Sequence, residues 1–373
     1  MKIGVMTFWR SQDNYGQILQ CYALQKYLRD MGHDAYLIRY DPRRDYIKTT
    51  FTKKIVKAFN PVILYRYLLN IKRIIINKNE KKKHPRNFND FRNEHIIQSE
   101  RMYNSYNELI ENPPEADIFI VGSDQVWNTF YSPIKRVIRA YLLDFGNSSV
   151  KRIAYAASFG KEHLENASIE IFTQLLRKFD YISVREKLGL EICKQCGINN
   201  AEWVPDPIML LNVEEYRILY KDKLLKKLDK PYCFFYYLGN KCDFSIQSVY
   251  DWAKSKNIEV VYITGNSQQD NYKKIYATIF EWIYLIEYAE YVITSSYHCS
   301  VFSLLFKKKF AVIPLSGRDY GMNSRFASLF ELFKIENRFI NSDFSMLNKE
   351  IDWQSVSAIL QNIRNNCTLP NII

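Results

Sequence analysis

The chain has 373 residues, 47% of them hydrophobic and 15% aromatic, enough for two apolar cores and far from the composition of a disordered chain. Its net charge of +12 is concentrated between Tyr46 and Arg86, where 12 Lys or Arg face one acid, Glu80, giving +11 and leaving +1 for the rest. A near-neutral remainder without a recognised module argues against a nucleic-acid partner. The longest uncharged run, Tyr291 to Phe306, is 16 residues interrupted by Ser, Thr and His, too short and too polar to span a bilayer.

Lys2 to Phe8 reads as a first strand rather than a signal peptide, and seven scattered cysteines then suit reduced thiols in the cytoplasm. The loop Asp13-Asn14-Tyr15-Gly16-Gln17 enters a helix whose apolar face is Ile18, Cys21, Tyr22, Leu28 and Met31, ending at Gly32. Asn14 can cap that helix and Gly16 allows close backbone approach to a ligand, with a plain cap as the equal alternative. Ala35 to Arg39 is the next strand. The basic segment 46–86 follows, its Lys and Arg interleaved with Phe51, Ile55, Phe59 and Ile74-Ile75-Ile76. That pattern suits an interfacial helix on anionic lipid; a solvated insertion is the alternative, and Pro61 breaks any helix running through it.

A helix is expected around Phe88 to Ile97, and Ile118 to Val121 is a short apolar strand. It ends in Gly122-Ser123-Asp124-Gln125-Val126-Trp127-Asn128, small and polar residues with an aromatic close behind, a pattern closer to a sugar or anion contact than to a simple turn. Strands at Arg152 to Ala157 and Tyr181 to Val184 enclose a helix near Ile169 to Phe179. Arg185, leaving the second of these, can clamp a carboxylate or phosphate bidentately; the alternative is an ion pair with Glu186 or Asp206. Cys193 and Cys196 fall inside a helix without a second pair, a weak metal or redox motif. Val204-Pro205-Asp206-Pro207 stops any helix and suits a junction between domains at 1–210 and 211–373.

In the second half, strands are expected at Cys233 to Leu238, Glu259 to Ile263, Tyr291 to Ile293 and Phe310 to Ile313, with helices between them. Uninterrupted apolar strands alternating with helices define an α/β class, two doubly wound Rossmann-like domains facing across a cleft. In Thr294-Ser295-Ser296-Tyr297-His298-Cys299-Ser300, His298 sits at the carboxyl end of a strand beside a helix N-terminus, where open α/β sheets bind ligands and anions. Arg318 and Arg325 follow about one strand–helix step later.

Six segments occur in order over most of the chain: NYGQILQCYALQKYL (14–28), IVGSDQVWN (120–128), RIAYAASFG (152–160), YISVREKLG (181–189), VPDPIMLL (204–211) and SSYHCSVFSLLF (295–306). Together they resemble the polysaccharide pyruvyl transferase family. The resemblance implies a two-domain fold similar to the glycosyltransferase B type. It also implies transfer of pyruvate from phosphoenolpyruvate onto a glycan or lipid-linked saccharide as a ketal, with phosphate released. Cys299 stands where family members commonly have glycine, and is expected to crowd the helix start beside His298.

Phosphoenolpyruvate carries a carboxylate and a phosphate, so its site needs cations and helix N-termini. Ketal formation needs one group that gives and takes a proton near neutrality, which suits His298 as general acid/base. Arg185, with Arg318 and Arg325, is expected to hold the donor and stabilise departing phosphate, and Asp124 to orient or deprotonate the acceptor hydroxyl. Asn14, Tyr15, Gly16, Gly122, Ser123, Gln125, Trp127, Ser158, Ser295 and Ser296 are expected to line the substrate site. The scheme calls for no metal or other cofactor. A glycan enzyme of this kind is expected in the cytoplasm, peripheral on the inner face of the membrane through 46–86. Two rivals stay open: a nucleotide-sugar glycosyltransferase of the same fold, and a non-catalytic glycan-binding subunit.

Overall fold

The computed structural model describes residues 1–46, 74–75, 78–130, 135–225, 227–238, 244–265, 268, 270–367 and 369–373. Most of the basic segment, and with it the expected interfacial helix, lies outside the described residues. Among those described, no helix is long and apolar enough to cross a membrane.

Among the described residues, eleven strands form two sheets. The first contains β1 (Lys2–Met6), β2 (Asp34–Tyr40), β3 (Gln98–Tyr103), β4 (Ile118–Gly122), β5 (Lys151–Ala157), β6 (Tyr181–Val184) and β7 (Glu202–Trp203). Their order is β3-β2-β1-β4-β5-β6-β7, and every pairing is parallel. The second contains β8 (Tyr232–Tyr237), β9 (Glu259–Thr264), β10 (Tyr291–Thr294) and β11 (Lys309–Val312), in the order β11-β10-β8-β9, again parallel throughout. The apolar runs explain the parallel pairing. Ile118–Gly122 and Tyr232–Tyr237 are buried at every position, as strands covered by helices on both faces must be. The order reverses between β1 and β4 and again between β8 and β10, so each sheet has a crevice at its carboxyl edge where ligands bind in such folds.

Two strands were not anticipated from sequence. β3 lies at the sheet edge and reads Gln-Ser-Glu-Arg-Met-Tyr, without an apolar run because an edge strand is only half covered. β7 has two residues, too few for any periodicity.

One apolar cluster spans both sheets, joining Tyr15, Leu19, Tyr22 and Phe88 to Phe234, Trp282 and Phe302. Tyr15 stacks on Trp282 with ring centroids 5.1 Å apart, and its hydroxyl donates to the Ala277 carbonyl at 2.6 Å. Each large apolar side chain buried this way is worth about 1.5–3 kcal/mol, so this cluster outweighs any exposed ion pair, at roughly 0–1 kcal/mol. The chain end crosses back to the first sheet. Leu369 packs with Ile3, Val5 and Tyr155, and Arg364, in the helix Trp353–Asn365, donates to the carbonyls of Met209 (3.2 Å) and Leu211 (3.0 Å). Thus 211–373, read from sequence as one unit, sends its last residues onto the other sheet.

Candidate active site

The carboxyl edges of β6 and β10 meet around Asp206. This carboxylate follows β7 at the start of the 3-10 turn Pro207–Leu210 and is fully buried. Its Oδ1 accepts from the Ile208 amide at 3.1 Å. Its Oδ2 accepts from Ser123 Oγ at 2.8 Å and from Arg185 Nη1 at 2.9 Å, and lies 3.3 Å from His298 Nε2. Burial alone would raise this carboxyl, but His298 and Arg185 together hold it well below the usual carboxylate range.

Arg185 is the cation of the cluster. Its side chain is solvent-inaccessible, lies 4.6 Å from the centroid of the Tyr297 ring, and has Nε 4.0 Å from Glu186 Oε2. Desolvation works against its charge, and Asp206, Tyr297 and Glu186 more than restore it. It therefore makes the Asp206 ion pair that the sequence carried as the alternative to a free clamp. Among the described residues, two of its nitrogens, Nε and Nη2, are buried with no hydrogen-bond partner. A buried donor left unmade costs about 1–3 kcal/mol, more when charged, so Nη2 is a natural position for an acceptor from outside the protein.

His298 is the second residue of the helix Tyr297–Leu305 and is 4% exposed. Its Nε2 stands 3.2 Å from Arg185 Nη1 as well as 3.3 Å from Asp206. A guanidinium only donates and a carboxylate only accepts. With a proton on Nε2 the ring donates to Asp206; without it, Nε2 accepts from Arg185. A proton can come and go at this atom without leaving it unpartnered, as general acid/base work requires. The opposite edge of the ring rests on Gly16, where a Cβ would fall 2.3 Å from Nδ1. The close approach anticipated at Gly16 is thus to His298 itself rather than to a ligand.

The remaining candidates divide by location. Ser123 bridges Asp206 and Arg185, the latter at 3.3 Å. Ser158 Oγ donates at 2.8 Å to Glu186 Oε1, which also accepts from the amides of Phe159 and Gly160. Asp124 is strained at φ 66° and caps the Gln125 amide at 2.9 Å. Gln125 reaches across to Met322 Sδ at 3.5 Å. Ser296 caps the His298 helix, and Ser295 Oγ donates to the Leu238 carbonyl at 3.0 Å. Arg325 donates to the Met322 carbonyl at 2.9 Å and stands 5.9 Å from the Tyr297 ring. The side chain of Arg318, in the turn Gly317–Asn323, lies outside the described residues.

Others make contacts that account for them within the protein. Trp127 is fully buried in the first sheet's core, with Nε1 donating to the Tyr141 carbonyl at 3.0 Å. Tyr15 belongs to the shared core. Gly122 is demanded by its neighbour strand, since a Cβ there would meet the Tyr155 carbonyl oxygen at 1.8 Å. Asn14 caps the helix Tyr15–Asp30, accepting from the Gln17 amide at 3.3 Å. Cys299 turns into the shared apolar cluster and the helix start beside it is regular; burial pushes its thiol well up. Burial likewise raises Cys193, to about 12, and Cys196.

Sequence reasoning named Asp206 only as one of two possible ion-pair partners for Arg185, and did not single out Tyr297. Asp206 was read as a helix stop between two prolines. The available signal was its place: an acid just past a short strand, at the edge where Arg185 also emerges.

Two parallel α/β sheets meeting at their carboxyl edges, with a buried histidine between them, define a fold of the glycosyltransferase B type. The chain belongs to the polysaccharide pyruvyl transferase family, whose model matches residues 14–317. Among solved structures it is similar to UDP-GlcNAc 2-epimerase from Methanocaldococcus jannaschii, at 10% identity and TM-score 0.52, over 98% of this chain and 100% of that one. It is similar as well to a Listeria monocytogenes protein assigned as a UDP-N-acetylglucosamine 2-epimerase, at 9% identity and TM-score 0.52, over 98% and 91% of the two chains. At such identities the similarity concerns the fold. Comparison with curated proteins gives no match.

Proposed function

We propose that this chain transfers pyruvate from phosphoenolpyruvate onto two hydroxyls of a glycan or lipid-linked saccharide, forming a ketal and releasing phosphate. The observation that carries the reading is His298 Nε2 held between Arg185 and Asp206, beside a buried guanidinium nitrogen with no acceptor among the described residues. In this scheme His298 delivers a proton to the methylene carbon, which becomes the methyl group. Positive charge develops at the neighbouring carbon, and one acceptor hydroxyl attacks there and passes its proton back to His298. The carbon–oxygen bond to phosphate then breaks with its electron pair leaving on phosphate, and the second hydroxyl bonds to the same carbon to close the ring, its proton going to the departing phosphate. Arg185 Nη2 supplies a donor to the phosphate or carboxylate, with Arg325 and Arg318 as further cations, and Asp124 orients the acceptor. Family membership and the donor set favour this over nucleotide-sugar chemistry on the same fold.

Incubating the protein with phosphoenolpyruvate and saccharide acceptors should release inorganic phosphate. Release of a nucleoside diphosphate from a nucleotide sugar instead would establish the glycosyltransferase reading, and release of neither a binding subunit. The reading includes a peripheral membrane location: anionic vesicles should float the protein at low salt, and neutralising Lys81, Lys82 and Lys83 should weaken that.

A further inference from the structure

A second cavity, of about 270 Å³, opens at the carboxyl ends of β1 and β2. Its walls are aromatic. Phe8 meets Tyr141 edge-on at 5.0 Å, Tyr40 meets Tyr141 at 5.7 Å, and Trp9 is pinned by its Nε1 donating to the Tyr40 carbonyl at 2.9 Å. Such rings offer apolar faces to the C–H face of a pyranose, and the volume suits a single ring rather than a nucleotide.

The polar groups of this cavity are few and of unequal sign. Asp41, 1% exposed, receives Arg10 and also Arg43, whose Nε donates to it at 2.6 Å. One carboxylate cannot neutralise two guanidiniums, so the lining keeps one positive charge, and the Arg43 side chain is 69% exposed at its mouth. The Tyr141 hydroxyl lies within electrostatic reach of Tyr46, Asp124, Asp41 and Arg10. Gln17 lines the cavity too, and the residue before it, Gly16, touches His298. The cavity therefore adjoins the proposed reaction centre through the first turn of one helix.

We propose that this cavity is a subsite for one acidic saccharide unit of the acceptor, its ring against the aromatic walls and its carboxylate on Arg43 and Arg10. The proposal rests on the reading of the chain as a glycan-modifying transferase. Saturation-transfer NMR and titration with methyl glucuronide and methyl glucoside test it on the full chain. The glucuronide should bind, the glucoside should bind at least several-fold more weakly, and Arg43→Ala should weaken the glucuronide roughly tenfold, as loss of a charge-assisted contact does. Arg43 is exposed, so that variant should fold, and an unchanged thermal transition checks it.

Three results would overturn the subsite: no glucuronide binding at tens of millimolar, equal binding of the glucoside, or binding indifferent to Arg43→Ala. Displacement of the glucuronide by phosphoenolpyruvate would also overturn it, by making the cavity a donor site. Phosphate release from phosphoenolpyruvate with any acceptor is measured separately. A protein that releases phosphate but ignores the glucuronide loses the subsite and keeps the pyruvyl transfer.

Discussion

Two regions at the carboxyl ends of the strands solve opposite problems. Around β6 and β10, Arg185, Asp206, Glu186 and His298 are nearly removed from solvent, and each is held by named partners. At β1 and β2, Arg43 and Arg10 stay partly exposed over aromatic walls, with only Asp41 buried beneath them. Breaking a buried ion pair by removing one partner costs about 3–5 kcal/mol, whereas an exposed pair contributes about 0–1 kcal/mol. The first region is therefore rigid and suited to positioning protons. The second can exchange its contacts for those of a ligand without endangering the fold.

The largest expected effect breaks the first region at its centre. His298→Ala should lower turnover by roughly 10²–10⁴-fold, the span of one general acid/base; because the ring is buried against Gly16, Asp206 and Arg185, turnover is compared per folded protein, with the thermal transition reporting the folded fraction. A variant keeping more than a third of wild-type turnover would remove His298 from the chemistry.

Asp206→Asn attacks the same cluster through its anion, leaving Arg185 buried without its counter-charge. Stability should fall by about 3–5 kcal/mol, read by denaturant titration. The pH dependence has a definite sign. The folded carboxyl lies below its unfolded value of about 3.9. Its contribution is therefore fully present above that pH and is lost as pH falls through the folded value. The stability gap between wild type and Asp206→Asn should be constant from neutrality down to about pH 4 and then narrow. A gap independent of pH down to 2 would mean that the carboxylate's charge is not what holds the cluster.

Gly16→Ala tests whether the helix start positions the histidine. The new methyl group would fall 2.3 Å from His298 Nδ1, so the ring must shift from its place beside Asp206 and Arg185. A displacement of about 1 Å at a reacting group can cost on the order of 10²-fold, and that loss should appear in kcat. Wild-type kcat with a raised acceptor KM would instead make Gly16 a ligand-facing position.

How much of this was legible in the sequence follows from what each residue answers to. Apolar runs such as Ile118 to Val121 and Cys233 to Leu238 revealed buried parallel strands, because burial on both faces leaves no other composition. His298 was legible from its place after β10. Asp206 was legible only as a possible partner of Arg185, because its other partners come from β4 and β10, and no local pattern encodes a meeting of three distant strand ends. Trp127 misled in the other direction. An aromatic behind a polar turn looks like a sugar platform until the fold turns it inward against Phe159, 5.1 Å away. Gly16 was read correctly as a close approach, but what approaches comes from a residue far along the chain.

The smallest expected effect separates two readings of Asn14 that its sequence left equal. Its side-chain oxygen accepts from the Gln17 amide at 3.3 Å, and its own amide donates to Ser11 Oγ at 2.7 Å. Both contacts fix the entry to the helix that carries Gly16, and neither requires a ligand. Removing an N-cap costs about 1 kcal/mol, so Asn14→Ala should lower stability by that amount and leave donor and acceptor KM near their wild-type values. Asn14→Ser or Asn14→Asp, which also cap well, should restore most of it. If Asn14→Ala raises a KM tenfold at unchanged stability, and Asn14→Ser does not rescue it, Asn14 touches substrate and the entry loop belongs with the recognition surface beside β1.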